Sequence, residues 1–242
     1  MVGRIVITRP RDEAIGLAAE LTARGYDTLI EPMLEIVPLP APIPDLDAYR
    51  ALVFTSANAV RVFAERSPDR ARPAYAVGIR TADSLRKAGF ADVRGASGDA
   101  ELLAEFIRET LGDDGPVLHL AGQDVARDME ALLAPAGIGV DSLALYEAVP
   151  ADGFSKPLVD ALYACTIGSV LFFSVRTAAT FGTLLAELGL AEMITPISAL
   201  CLSSQVATEA AKLPWRRVAA AAQPTAASLL TLLSQYDADY GQ

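Results

Sequence analysis

Short apolar runs alternate with amphipathic stretches along this chain. RIVIT (4–8), ALVFTS (51–56), AYAVG (74–78), PVLHLA (116–121) and SVLFFS (169–174) are short, mainly apolar runs of strand length, the pattern of strands buried on both faces. DEAIGLAAELTARG (12–25), NAVRVFAERS (58–67), TADSLRKAGF (81–90) and ARDMEALLAPAG (126–137) carry apolar residues at helical spacing and stop near Gly or Pro. Strand followed repeatedly by helix predicts parallel sheets with helices on both faces.

The pattern is written twice. VFTSANAVRVF (53–63) returns as LFFSVRTAATF (171–181), so that Ser56 and Ser174, and Phe63 and Phe181, stand 118 positions apart (56 to 174, 63 to 181). AVGIRTADSL (76–85) resembles LCLSSQVATEA (200–210), with Ala82 answering Ala207, and SGDAELLAEFI (97–107) resembles AQPTAASLLTLL (222–233). The closing unit of the first copy, VLHLAGQDVARDMEALLAPAGIGV (117–140), has its counterpart at the other end of the chain in RIVITRPRDEAIGLAAELTARGYDT (4–28), Gly25 answering Gly137 and Leu21 answering Leu133. One domain is thus begun, interrupted by a whole second domain, and then finished.

Two extended, proline-edged stretches make the crossings, PMLEIVPLP (32–40) outward and LALYEAVPA (143–151) on return. Pairing them as an antiparallel ribbon would satisfy their backbone groups; the alternative is that they are ordinary sheet strands. The expected organisation is 1–35 plus 150–242 as a discontinuous domain, 41–142 as an inserted one, and 36–40 with 143–149 as the linker. The fold class is α/β: two flavodoxin-like parallel-sheet domains, one discontinuous, joined by a two-stranded antiparallel β ladder.

Composition narrows the function. With 242 residues, 52% of them hydrophobic and 21% charged, the chain can bury two real cores and has no disordered signature. A formal charge of −10 argues against nucleic-acid binding, which draws on many cations at phosphates. No apolar run reaches membrane-spanning length, and MVGRIVITRP meets a proline too early for a secretion signal; a cytoplasmic, monomeric protein is expected. Cys165 and Cys201 lie in apolar segments without CxxC spacing and are expected to be buried free thiols. His119 is the only histidine, which excludes a histidine-rich metal site.

In open parallel sheets ligands bind beyond the carboxyl ends of the strands. The small polar residues fall there: Thr8 and Arg9; Thr55, Ser56 and Asn58; Arg80 and Thr81; Gly122 and Gln123; Ser174, Arg176 and Thr177; Ser204 and Gln205; Pro224 and Thr225. Helix capping accounts for any single hydroxyl, and solvation for any single arginine. Together they form two donor-rich rims suited to an anion, with Arg9, Arg80 and Arg176 as local cations in an acidic protein. No GxGxxG, GxxxxGK[ST] or GxSxG is present, so nucleotide binding and serine hydrolysis have no foothold.

ITRP (7–10), VFTSANAV (53–60), AVGIRTADSLRKAGF (76–90), LYEAV (145–149) and FFSVRTA (172–178) occur in the order found in uroporphyrinogen-III synthases, and the chain resembles that family from about residue 4 to residue 233. The resemblance implies two domains on a two-stranded ladder with an active cleft between them. It implies a cyclising hydro-lyase that takes hydroxymethylbilane, a linear tetrapyrrole polycarboxylate, to uroporphyrinogen III through an azafulvene and a spiro-pyrrolenine, without cofactor or metal. It further implies that Tyr146 serves the leaving hydroxyl, as acid or as orienting group; the candidates for binding such a substrate are the rim residues already read from their place at the strand ends, Thr8, Arg9, Ser56, Asn58, Arg80, Thr81, Gly122, Ser174, Arg176, Thr177, Ser204 and Thr225. Two departures stand out: Ser203-Ser204-Gln205-Val206 replaces a frequent Gly-Pro-x-Thr turn, and Ala121 replaces a frequent arginine before Gly122. The alternative function is a non-catalytic two-lobed binding or regulatory protein for a small anion.

Overall fold

The computed structural model describes residues 3–96, 99–111, 115–125 and 128–238. Ser97, Gly98, Ala126 and Arg127, which fall within two of the repeated segments, lie outside the described residues. In chain order the elements are β1 (Arg4–Ile7), α1 (Arg11–Ala23), β2 (Thr28–Ile30), β3 (Leu34–Pro38), β4 (Ala51–Phe54), α2 (Ala57–Arg66), β5 (Ala74–Val77), α3 (Gly78–Lys87), β6 (Val93–Ala96) and α4 (Ala100–Leu111). They continue with β7 (Val117–Gly122), α5 (Asp128–Leu133), β8 (Val140–Pro150), α6 (Lys156–Tyr163), β9 (Ile167–Phe172), α7 (Val175–Glu187), β10 (Ser198–Cys201), α8 (Ser204–Ala210), β11 (Arg217–Ala220) and α9 (Ala226–Ala238). Contacts divide the chain into unit 1, Met1–Glu35 with Val149–Gln242, and unit 2, Ile36–Ala148.

The fold class is the α/β arrangement read from the pattern. Unit 1 holds a parallel sheet in the order β2-β1-β9-β10-β11, the flavodoxin order. In the other sheet the parallel strands run β8-β7-β4-β5-β6, with β3 beyond β8. The two orders become one when the repeated segments are matched, and so do the registers. Ala51 pairs with Val117 as Ser169 pairs with Ile5, and Leu52 with Ala74 as Val170 with Ala199. Ala74 pairs with Val93 as Ala199 with Val218, and Val117 with Val140 as Ile5 with Thr28. Register is conserved because a slip of one residue would turn every buried side chain to the other face.

Each sheet is covered on both faces. Leu52, Phe54, Leu118 and Leu120 pack with Val60, Phe63, Leu85 and Phe90, while Ala51, Val53, Tyr75 and Val117 face Leu103, Ile107 and Leu133. In unit 1 the same division sets Val170, Phe172 and Ala199 against Phe181 and Val206, and Ile5, Ile7 and Leu171 against Leu17, Leu21 and Leu230. The repeated phenylalanines make matching contacts: Phe54 meets Phe63 at 5.6 Å and 78°, and Phe172 meets Phe181 at 5.4 Å and 78°, edge-to-face geometry worth about 0.5–1.5 kcal/mol beyond area burial.

The stretches around β3 and β8 satisfy both readings of the sequence. β8 is an ordinary strand beside β7 from Val140 to Tyr146 and also the neighbour of β3. Leu39 N–H donates to Leu145 O, and Ala151 N–H to Met33 O. One partner number falls as the other rises, which is the antiparallel sense.

One expectation needs correction. Cys201 is buried, but Cys165 is exposed. Cys165 lies just past α6 with φ +52; its N–H reaches Leu162 O, and Thr166 N–H reaches Ala161 O. That is a Schellman stop, which turns the residue after the cap outward in the left-handed region. Gly25, Gly89 and Gly189 fill the same place after α1, α3 and α7. Among the described residues no helix is long and apolar enough to cross a membrane.

Candidate functional site

In unit 2 the carboxyl edge of the sheet brings together residues that are distant in sequence. Leaving β4, the chain turns extended at Ser56 (φ −150, ψ 139) and starts α2 with Ser56 as its cap. Ser56 Oγ accepts from Asn58 N–H at 3.1 Å and from the phenolic hydroxyl of Tyr146 at 2.9 Å. A hydroxyl oxygen has two lone pairs and one proton; both lone pairs are thereby engaged, so Ser56 meets any further group as a donor. Tyr146 is buried and packs with the Phe54 and Phe63 cluster.

Beside Ser56, Thr55 Oγ1 lies 3.0 Å from His119 Nε2, and Ser142 Oγ lies 3.5 Å from His119 Nδ1. His119 is buried and has hydroxyls at both ring nitrogens, so it behaves as an internal polar group supporting the rim. Among the described residues no group of three or more His, Cys, Asp or Glu could hold a metal ion. Gly122 ends β7 directly against the Tyr146 ring. On the next strand, left-handed Gly78 (φ +73) makes the turn into α3; Arg80 is exposed in the first turn, its carbonyl accepting from Ser84 Oγ, and Thr81 is buried.

The rim of unit 1 uses its hydroxyls differently. Thr8 is fully buried, and its hydroxyl donates to Leu171 O at 2.7 Å across β1 and β9. Arg9 is paired with Glu13 at 2.5 Å and lies over the Phe173 ring at 4.6 Å. Ser174 and Thr177 form a capping box: Ser174 Oγ accepts from Thr177 N–H at 3.1 Å, and Thr177 Oγ1 from Ser174 N–H at 3.3 Å. On α8 the cap is Ser203, which accepts from Val206 N–H at 3.4 Å, while Ser204 is the first helical residue. Thr225 Oγ1 accepts from Ser228 N–H at 3.2 Å at the start of α9. Arg176 opens onto a groove of about 490 Å³ along α7, shared with Asp152, Thr180, Thr183 and Glu187; the two threonine hydroxyls donate to Arg176 O and Ala179 O of their own helix.

The predicted residues therefore divide by chemistry. Ser56, Asn58, Gly122 and Tyr146 meet in one place; Thr8, Ser174 and Thr177 are engaged in the framework of unit 1. Residue type alone did not assign three roles: Ser203 as the α8 cap, Phe173 beneath Arg9, and His119 behind Thr55. A further one is Glu31, a buried carboxylate that accepts from Ser155 N–H at 2.7 Å and Ser155 Oγ at 2.5 Å and so ties the start of α6 to the end of β2. An acidic residue just after a strand was the available signal.

A sequence profile described as uroporphyrinogen-III synthase HemD matches residues 16–231. The chain belongs to the uroporphyrinogen-III synthase family. It is 23% identical over 232 residues to the porphyrin biosynthesis protein HemD of Ruminiclostridium josui, which spans 90% of this chain and 45% of that protein. To the uroporphyrinogen-III synthase of Chlorobaculum parvum it is 32% identical over 95 residues, 35% of this chain and 39% of the relative. The matches thus span less than half the length of these curated relatives. Among solved structures, uroporphyrinogen-III synthetase from Helicobacter pylori superposes with a TM-score of 0.64 at 21% identity, covering 97% of this chain and 99% of that one. A mutant uroporphyrinogen III synthase from Thermus thermophilus superposes at 0.55 and 17% identity, covering 99% and 100%. At these identities the structures establish the fold alone.

Proposed function

We propose that this chain closes hydroxymethylbilane to uroporphyrinogen III, losing water and inverting ring D. The contact of Tyr146 with Ser56 is the observation that carries the reading: a buried phenol held by a hydroxyl at a parallel-sheet edge, in a member of this family. The chemistry asks mainly for orientation, because the azafulvene closes unaided to the non-inverted isomer. Holding the chain so that the substituted carbon of ring D is the near one is worth many orders of effective concentration.

Tyr146 serves the departing hydroxyl. As the carbon–oxygen bond breaks, its electron pair stays on oxygen and the Tyr146 proton completes the water molecule. The pyrrole nitrogen lone pair fills the electron-poor carbon, and the N–H proton it then releases restores the phenol, leaving a neutral azafulvene. Ring D attacks the azafulvene's exocyclic carbon through its substituted carbon; the displaced electron pair returns to the azafulvene nitrogen, which takes up the ring D N–H proton, and the spiro-pyrrolenine results. The older bond from that substituted carbon to its bridging carbon then breaks, the bridge re-forms at the unsubstituted carbon of ring D, and the proton displaced there returns to the ring D nitrogen, leaving the inverted aromatic ring. While Tyr146 donates to the leaving group, the Ser56 hydroxyl reverses and donates to the Tyr146 oxygen, stabilising the developing negative charge. The exposed Arg80 of the same unit provides a cation for substrate carboxylates, and Asn58 a short-range donor, in a protein of net charge −10.

The test is direct. Freshly made hydroxymethylbilane is incubated with the protein and the products are oxidised and resolved by isomer; uroporphyrin III well above the protein-free control is expected. Type I alone, at the control rate, would refute the proposal.

A further inference from the structure

We infer that Gly122 is a positioning residue for Tyr146: its missing side chain, together with a bulge in β8, sets the phenol on Ser56. This deepens the reading above and rests on it only for the catalytic consequence. Two independent features of the backbone support it. A Cβ built on Gly122 would lie 2.8 Å from Tyr146 Cζ, 2.9 Å from Cε2 and 3.0 Å from the phenolic oxygen. The ring therefore occupies the place that any other residue would fill, and its rigid para carbon and oxygen cannot yield without leaving Ser56.

The register supplies the second feature. Leu120 pairs with Leu143 and Ala121 with Ala144, but Gly122 pairs with Tyr146, so Leu145 is an extra residue in β8. Side chains of a regular strand alternate between faces. Without the bulge, Tyr146 would follow Ser142 and Ala144 onto the His119 face; with it, Leu145 and Tyr146 both join the cluster of Leu143, Leu120 and Phe54, the face from which Ser56 continues. Bulges recur where a strand must re-aim one side chain. Here the bulge delivers the ring and Gly122 accepts it.

The experiment uses the full chain labelled with 3-fluorotyrosine, the Tyr146 resonance being identified by its loss in Tyr146→Phe. Gly122→Ala is expected to shift that resonance in the same direction as Ser56→Ala does. It should lower kcat at least about tenfold with KM within about threefold. Gly122→Ala combined with Tyr146→Phe should be no slower than the slower single variant, since both remove one positioned hydroxyl. An unmoved resonance, or losses that multiply, would overturn the inference. Should Gly122→Ala not accumulate folded protein, the background Tyr146→Leu decides: that change deletes Cζ, Cε2 and the oxygen, so alanine at 122 should then be tolerated, and equal destabilisation in both backgrounds would overturn the inference. If the wild type makes no uroporphyrin III, the functional reading fails while the resonance and stability comparisons still judge the role of Gly122.

Discussion

Tyr146 donates its phenolic hydrogen to Ser56 Oγ across 2.9 Å and 90 residues of sequence. Removing the phenolic oxygen leaves the ring packed in its cluster and subtracts only the proton donor. Tyr146→Phe is expected to lower kcat by about 10- to 1000-fold, at or below the usual effect of one acid–base group, with a melting temperature close to wild type. Steady-state kinetics with isomer analysis checks it; an unchanged kcat would remove the hydroxyl from the mechanism.

The two matched serines differ in work, and their alanine variants should separate. Ser174 is one half of a capping box, so Ser174→Ala is expected to cost about 1 kcal/mol of stability, read in urea melts. Ser56→Ala loses the cap and also the acceptor that Tyr146 donates to; it should add a fall in kcat that Ser174→Ala does not show.

Phe63 and Phe181 occupy equivalent core positions with equivalent aromatic partners. Either residue changed to alanine should cost roughly 3 to 5 kcal/mol by lost transfer energy plus a cavity. Differential scanning calorimetry and urea melts would test this, and a loss below about 1 kcal/mol at either position would contradict the equivalence.

The two thiols should be readily told apart. Burial pushes the Cys201 thiol up to about 12, so at pH 8 almost none of it is thiolate, the nucleophilic form. Its pKa is raised on folding, so this contribution is complete below the unfolded value and fades as pH climbs through the folded one. Iodoacetamide at pH 8 should modify Cys165 alone in the native protein and both thiols in denaturant. Cys165→Gly should leave no reactive thiol and raise stability by about 1 kcal/mol, because glycine tolerates the left-handed backbone that Cys165 strains to adopt.

Much of this architecture was legible in one dimension. The apolar runs, the helical spacing and the Gly stops named the strands and helices, because those features are local. The offset from Ser56 to Ser174 and from Phe63 to Phe181 carried the internal repeat, and paired registers in the two sheets follow it residue by residue. Site chemistry was less legible. Thr8, Ser174 and Thr177 have the residue types of ligand donors, yet their hydroxyls serve backbone groups nearby, and a hydroxyl that caps a helix has the same sequence signature as one that binds an anion.

The amino-acid order by itself determined the alternation of strand and helix, the doubled and permuted domain, and the presence of donors at the strand ends, since each depends on periodicities within a few residues or on likeness between segments. Tertiary structure alone decided that Tyr146 faces Ser56 and not His119. LALYEAV reads as a plain apolar strand; the extra residue at Leu145 exists only in how β8 is registered against β7, and the space for the ring exists only because the facing residue there is Gly122. Such a choice belongs to hydrogen-bonded partners remote in the chain, and no local pattern contains it.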